Sequence, residues 1–86
     1  MAHEWELRIH HAVASAIHAL PKDHALAIRK VIVALPDDPR PEGSRAIIGI
    51  DNTYEVFLGF FRIVYEIDEE QRCIKVAMLN LSVVNP

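Results

Sequence analysis

The stretch that decides the fold runs Tyr54-Glu55-Val56-Phe57-Leu58-Gly59-Phe60-Phe61-Arg62-Ile63-Val64-Tyr65-Glu66-Ile67, then Asp68-Glu69-Glu70-Gln71, then Arg72-Cys73-Ile74-Lys75-Val76-Ala77-Met78-Leu79. Apolar and polar residues alternate through it, the period of a half-buried strand. Gly59-Phe60 fits a two-residue hairpin with glycine at the first central position, a type II′ turn. Asp68 to Gln71 is a second turn. The stretch therefore predicts three antiparallel strands. Tyr54, Val56 and Leu58, then Phe61, Ile63, Tyr65 and Ile67, then Ile74, Val76 and Met78 are expected on the core face. Glu55 and Phe57, Arg62, Val64 and Glu66, and Cys73, Lys75 and Ala77 are expected on the outer face.

The sequence upstream supplies what covers that core face. Trp5 to Ile9 alternates and reads as a short strand. From His10 to Leu20 the period becomes helical, with Val13, Ala16, Ile17 and Leu20 on one stripe. Pro21 breaks the pattern and suits the first turn of a second helix, Lys22 to Leu35, with a stripe of Ala25, Ile28, Ile32 and Leu35. Residues 36–43 hold three prolines and a glycine, which makes them a surface loop. Ser44 to Ile50 is read as a strand, and Asp51-Asn52 as a turn. The expected architecture is α+β: an N-terminal strand and a two-helix hairpin packed on one face of a twisted antiparallel sheet.

At 86 residues the chain is read as one domain, and 51% apolar residues suffice for a core. The net charge of −3 argues against a protein that works only by gripping phosphates. A single cysteine, Cys73, excludes an internal disulfide and fits a reducing, cytoplasmic setting. No apolar run approaches the roughly 18 residues that span a bilayer, so no membrane partner is expected. His11 and His18 would share a helix face, but no carboxylate or cysteine completes a metal-binding spacing. Neither a metal nor a cofactor is expected.

This order and spacing resembles the RelE/ParE superfamily of bacterial type II toxins. The matching segments are Ala19-Leu20-Pro21 after the first helix, Leu35 to Gly43 after the second, and above all Tyr54 to Ile67 with Arg62-Ile63-Val64-Tyr65 at its centre. The resemblance covers nearly the whole chain. It implies a toxin neutralised by a cognate antitoxin that wraps it. RelE-like members are metal-independent endoribonucleases acting on mRNA, typically on the ribosome, and ParE-like members inhibit DNA gyrase. The chain departs from the pattern twice. Glu55 stands where a basic residue usually follows the tyrosine, and Asn80 to Pro86 contains no His, Arg or Tyr. A second reading follows from those departures: a catalytically degenerate module of the same fold that binds an antitoxin or gyrase.

Cleaving RNA through its own 2′-OH takes a base, a cation to steady the phosphorane and an acid for the leaving oxygen. Arg62 is the first candidate, because a planar guanidinium grips phosphate oxygens in pairs. Arg45 on the preceding strand is the second. Straight registers place Arg62 beside Phe57 and across from Ala77, with Glu66 and Lys75 further along the same face as binding residues. Phe57 and Phe60 offer rings for a base or an apolar patch for an antitoxin. The alternative for Arg62, Glu66 and Lys75 is a set of cross-strand ion pairs on a solvated surface. Phe57, Val64 and Ala77 could instead form the face of a homodimer, to be weighed against a toxin–antitoxin hetero-oligomer.

Overall fold

A computed structural model describes residues 5–81, so the last residues of the Asn80–Pro86 segment lie outside the described residues. The chain forms β1 (Glu6–Ile9), α1 (His11–His18), α2 (Lys22–Ala34), β2 (Arg45–Ala46), β3 (Thr53–Leu58), β4 (Phe61–Asp68) and β5 (Cys73–Leu81). The strands make one sheet in the order β1-β5-β4-β3-β2. The β2–β5 run is an antiparallel meander, but β1 lies parallel to β5, with Leu7 opposite Ile74 and Ile9 opposite Val76. The α+β layers are those expected, while the sheet is mixed rather than wholly antiparallel. The helices carry the chain from β1 to the far edge, and the meander brings it back, so β1 and β5 are joined by no tight turn that would force them antiparallel.

Each helix turns one stripe to the sheet. Val13 and Ile17 of α1 and Ala25, Ile28 and Ile32 of α2 are buried, with Leu35 just beyond, against Val56, Ile63, Tyr65, Ile67, Ile74 and Val76. Removing these apolar surfaces from water, at about 25 cal/mol per Å², is the main force holding the layers together. α1 begins at His11, because His10 is its cap: the His10 Nδ1 accepts the Ala12 N–H at 3.1 Å. It ends at His18, two residues earlier than its apolar stripe, since Pro21 disfavours helical backbone at Leu20.

The loop after α2 is pinned to the sheet by two tyrosines. Tyr65, fully buried, donates its hydroxyl to the Pro39 carbonyl at 2.8 Å. Arg40 donates to the Tyr54 hydroxyl at 3.1 Å and to Glu69 at 2.9 Å, so it ties loop to hairpin. The hairpin itself has the expected form: of its two central residues only Gly59 has positive φ, 58°.

Two local expectations fail. The strand over Ser44 to Ile50 reduces to Arg45–Ala46, because the chain reverses early, through Gly49 at φ 91° and Asn52 at φ 60°. Ile48 is consequently 99% exposed. In β5 a bulge interrupts the alternation. Tyr65 pairs with Val76 but Val64 pairs with Met78, leaving Ala77 as the extra residue. Past the bulge the faces exchange. Leu79, not Met78, packs on the core, and Met78 is exposed on the outer face.

Candidate functional site

The outer sheet face is uncovered by the helices, and β3 and β4 set its centre. Their hairpin register puts Arg62 opposite Phe57, as expected. On its other side stands Asn80, not Ala77: the β4–β5 ladder runs two residues out of the expected register, and the bulge adds a third. Glu55 lies two residues back on β3, hence diagonal to Arg62 and directly opposite Arg45 of β2. From there its carboxylate takes both guanidiniums. Arg62 Nε donates to Oε1 at 2.7 Å and Arg45 Nε to Oε2 at 2.9 Å. The Arg45 guanidinium also lies 5.4 Å from the centre of the Phe57 ring, a cation–π contact.

These are short, charge-assisted bonds, and Glu55 is well enclosed, with 12% of its side chain exposed against 30% for Arg62 and 69% for Arg45. The Arg62 hydrogen bond holds the Glu55 carboxyl below its usual range, and Arg45 adds to the effect against the opposing cost of burial. Glu55 thus binds as an anion, and the two arginines share one negative charge.

Lys75 and Glu66 are adjacent as expected, 3.8 Å apart, and Lys75 lies closer to Asp68, at 3.4 Å. Backbone hydrogen bonding from Gln71 draws the Asp68 carboxyl down, with Lys75 second. This group sits four residues along β4 from Arg62, roughly 13 Å at strand rise. Glu66 is therefore beyond hydrogen-bond reach of a phosphate held at Arg62. At the sheet edge Arg8 pairs with Glu6 at 3.3 Å. Arg8, Arg45, Arg62 and Lys75 on this face each meet a carboxylate.

Of the apolar outer positions, Phe57 is partly exposed, Val64 is buried and Ala77 is taken up by the bulge, so Met78 replaces Ala77 beside Val64. A groove of about 460 Å³ opens beside Phe57, lined by Val31, Ala34 and Leu35 at the end of α2 with Pro41 and Val56. It runs along the half of β3 that the two-residue β2 does not reach. In the sequence Glu55 stands out only as a departure from a pattern. The signal for its role was the diagonal that a two-residue hairpin forces between Glu55 and Arg62.

Two helices on one face of a five-stranded sheet, a meander with a parallel edge strand, match the α+β fold of RelE toxins. The chain superimposes on the RelE of the archaeal RelE–RelB complex from Pyrococcus horikoshii with a TM-score of 0.80, at 24% identity, covering 91% of this chain and 94% of that one. Against the isolated E. coli RelE toxin the TM-score is 0.81 at 18% identity, covering 94% and 87%. Against the intact E. coli RelBE toxin–antitoxin complex it is 0.78 at 18% identity, covering 93% and 99%. No protein-family model matches the chain, and no curated protein matches it by sequence.

Proposed function

We propose that the chain is the toxin of a type II toxin–antitoxin pair, an mRNA-directed endoribonuclease of the RelE kind held inactive by a cognate antitoxin. The observation that carries this reading is the likeness, over more than nine-tenths of the chain, to RelE structures solved alone and with RelB. It is supported by the position of Arg62 on the open sheet face. The role of Arg62 is to hold a phosphodiester and stabilise the charge that builds on it as the 2′ oxygen attacks, with Arg45 as second cation. The ring of Phe57, beside both, offers a surface for a nucleobase. The groove along free β3 suits a segment of antitoxin, whose backbone can pair with the strand edge while apolar side chains enter between Val31 and Phe57.

Inducible expression in a bacterial host tests the reading. Growth arrest with new 5′ ends in mRNA, abolished by Arg62→Ala, is the expected result. Normal growth and intact transcripts at confirmed expression would overturn it. A second reading, a binding module on the same fold without nuclease activity, is favoured by Glu55, which occupies donors of both arginines. Growth arrest with intact transcripts would support that alternative, and inhibited supercoiling by purified gyrase would identify its ParE-like form.

A further inference from the structure

We propose that Glu55 is the resident anion of a two-arginine anion site, and that it competes with the RNA backbone for that site. The proposal rests on the reading of the sheet face as an RNA-facing surface and names the residue that limits its affinity. Two guanidiniums converge from neighbouring strands on the two oxygens of one carboxylate, at 2.7 and 2.9 Å. A phosphodiester presents a comparable pair of anionic oxygens, and Arg recognises both in the same way. The place is built: β2 and β4 supply the cations, β3 supplies the anion between them, and the Phe57 ring supports Arg45.

The competition is local. Elsewhere on the face the pairing is looser, with Lys75 at 3.8 Å from Glu66 and Arg8 at 3.3 Å from Glu6. Four cations facing four carboxylates leave little field to draw in a polyanion. Neutralising Glu55 would leave two adjacent guanidiniums with free donors, whereas neutralising a remote carboxylate would change only the total charge. RNA that binds the native chain at this point must first displace a largely enclosed carboxylate from two charge-assisted bonds.

Fluorescence anisotropy with a short, fully 2′-O-methylated RNA oligonucleotide tests this on the whole chain, because that probe lacks the 2′-OH needed for cleavage. Glu55→Gln should bind about tenfold tighter than the native chain, the scale of a displaced charge-assisted bond. Its plot of log affinity against log salt should steepen by about 0.7, one added phosphate contact on a single strand. Glu55→Gln/Arg62→Ala should lose the gain. Glu70→Gln, which makes the same charge change in the exposed turn after β4, should stay within about twofold of the native chain, as a distant charge is screened. Glu55→Thr, a neutral residue at home in a strand, gives the same readout should the glutamine variant not fold.

A gain absent from Glu55→Gln, matched by Glu70→Gln, or surviving Arg62→Ala overturns the proposal. Tighter binding by Glu55→Gln with no transcript cleavage in cells removes the nuclease reading and leaves the competition intact.

Discussion

Glu55 ties its two arginine partners to the stability of the fold as well as to its surface chemistry. Its carboxyl titrates below the usual range in the folded chain, first through the Arg62 hydrogen bond. The unfolded chain therefore takes up the proton first as pH falls, and the stabilisation, complete above about pH 4.3, is lost as pH drops through the lower folded value. Asp68, held down by the Gln71 N–H and then Lys75, acts in the same direction. Glu55→Gln should lower stability at neutral pH by about 1 kcal/mol, as for a partly exposed pair. It should also flatten the fall of the urea midpoint on acidification. A midpoint that falls as steeply in the variant as in the native chain would show that Glu55 is not the titrating group. Tyr65 poses a simpler case. Tyr65→Phe keeps the buried ring and removes the bond to the Pro39 carbonyl, so urea unfolding should show a loss of about 1–2 kcal/mol. Because burial raises the Tyr65 phenol, the native chain should also lose stability above about pH 10, where the unfolded tyrosine ionises first, and the Phe variant should lose less.

At the scale of elements, the bulge in β5 decides which side chains the sheet shows. With Ala77 looped into one ladder position, Leu79 turns inward and Met78 outward. Leu79→Ala should therefore cost about 2 kcal/mol, the lower end for truncating a packed apolar residue, and Met78→Ala, with its side chain 47% exposed, less than about 1 kcal/mol. Equal costs, or the reverse order, would argue for an unbulged strand. This is also where the sequence stops being legible. The helices, the Gly59 hairpin and the pairing of Arg62 with Phe57 follow from periodicity and turn chemistry, which are local. The bulge does not: a run of Lys75-Val76-Ala77-Met78-Leu79 alternates acceptably in either register, and only the packing of Leu79 under the helices selects one. Ile47 to Ile50 misleads for a similar reason, since β-branched residues read as a strand while Gly49 turns the chain out of the sheet. The ion pairing of Glu55 is half legible: the hairpin diagonal brings it to Arg62, whereas Arg45 reaches it only because the folded chain lays β2 alongside β3.

For the molecule as a whole, the two sides of the sheet divide the work. One is sealed by α1 and α2, and the other carries the arginines. The groove between them lies at the edge, where α2 ends and β3 runs unaccompanied. A partner seated there would extend the sheet and cover Phe57, reaching the rim of the arginine site without entering the core. Ala34 is the position that separates the two surfaces, since it is exposed, lines the groove and lies on the helix rather than on the arginine face. Ala34→Arg places a bulky cation in the groove and retains helix propensity, at a cost of a few tenths of a kcal/mol or about that. On the toxin reading, cells expressing this variant should arrest as they do with the native chain, because Arg62 and Arg45 are untouched. On the same reading, co-expression of a cognate antitoxin should then rescue growth from the native chain but not from Ala34→Arg. The purified antitoxin should likewise raise the melting temperature of the native chain in proportion to the logarithm of its concentration, as a ligand of the folded state must, and leave the variant's unmoved. Full rescue and an equal thermal shift for Ala34→Arg would place the antitoxin elsewhere on the surface, and would leave the groove without the role argued for it.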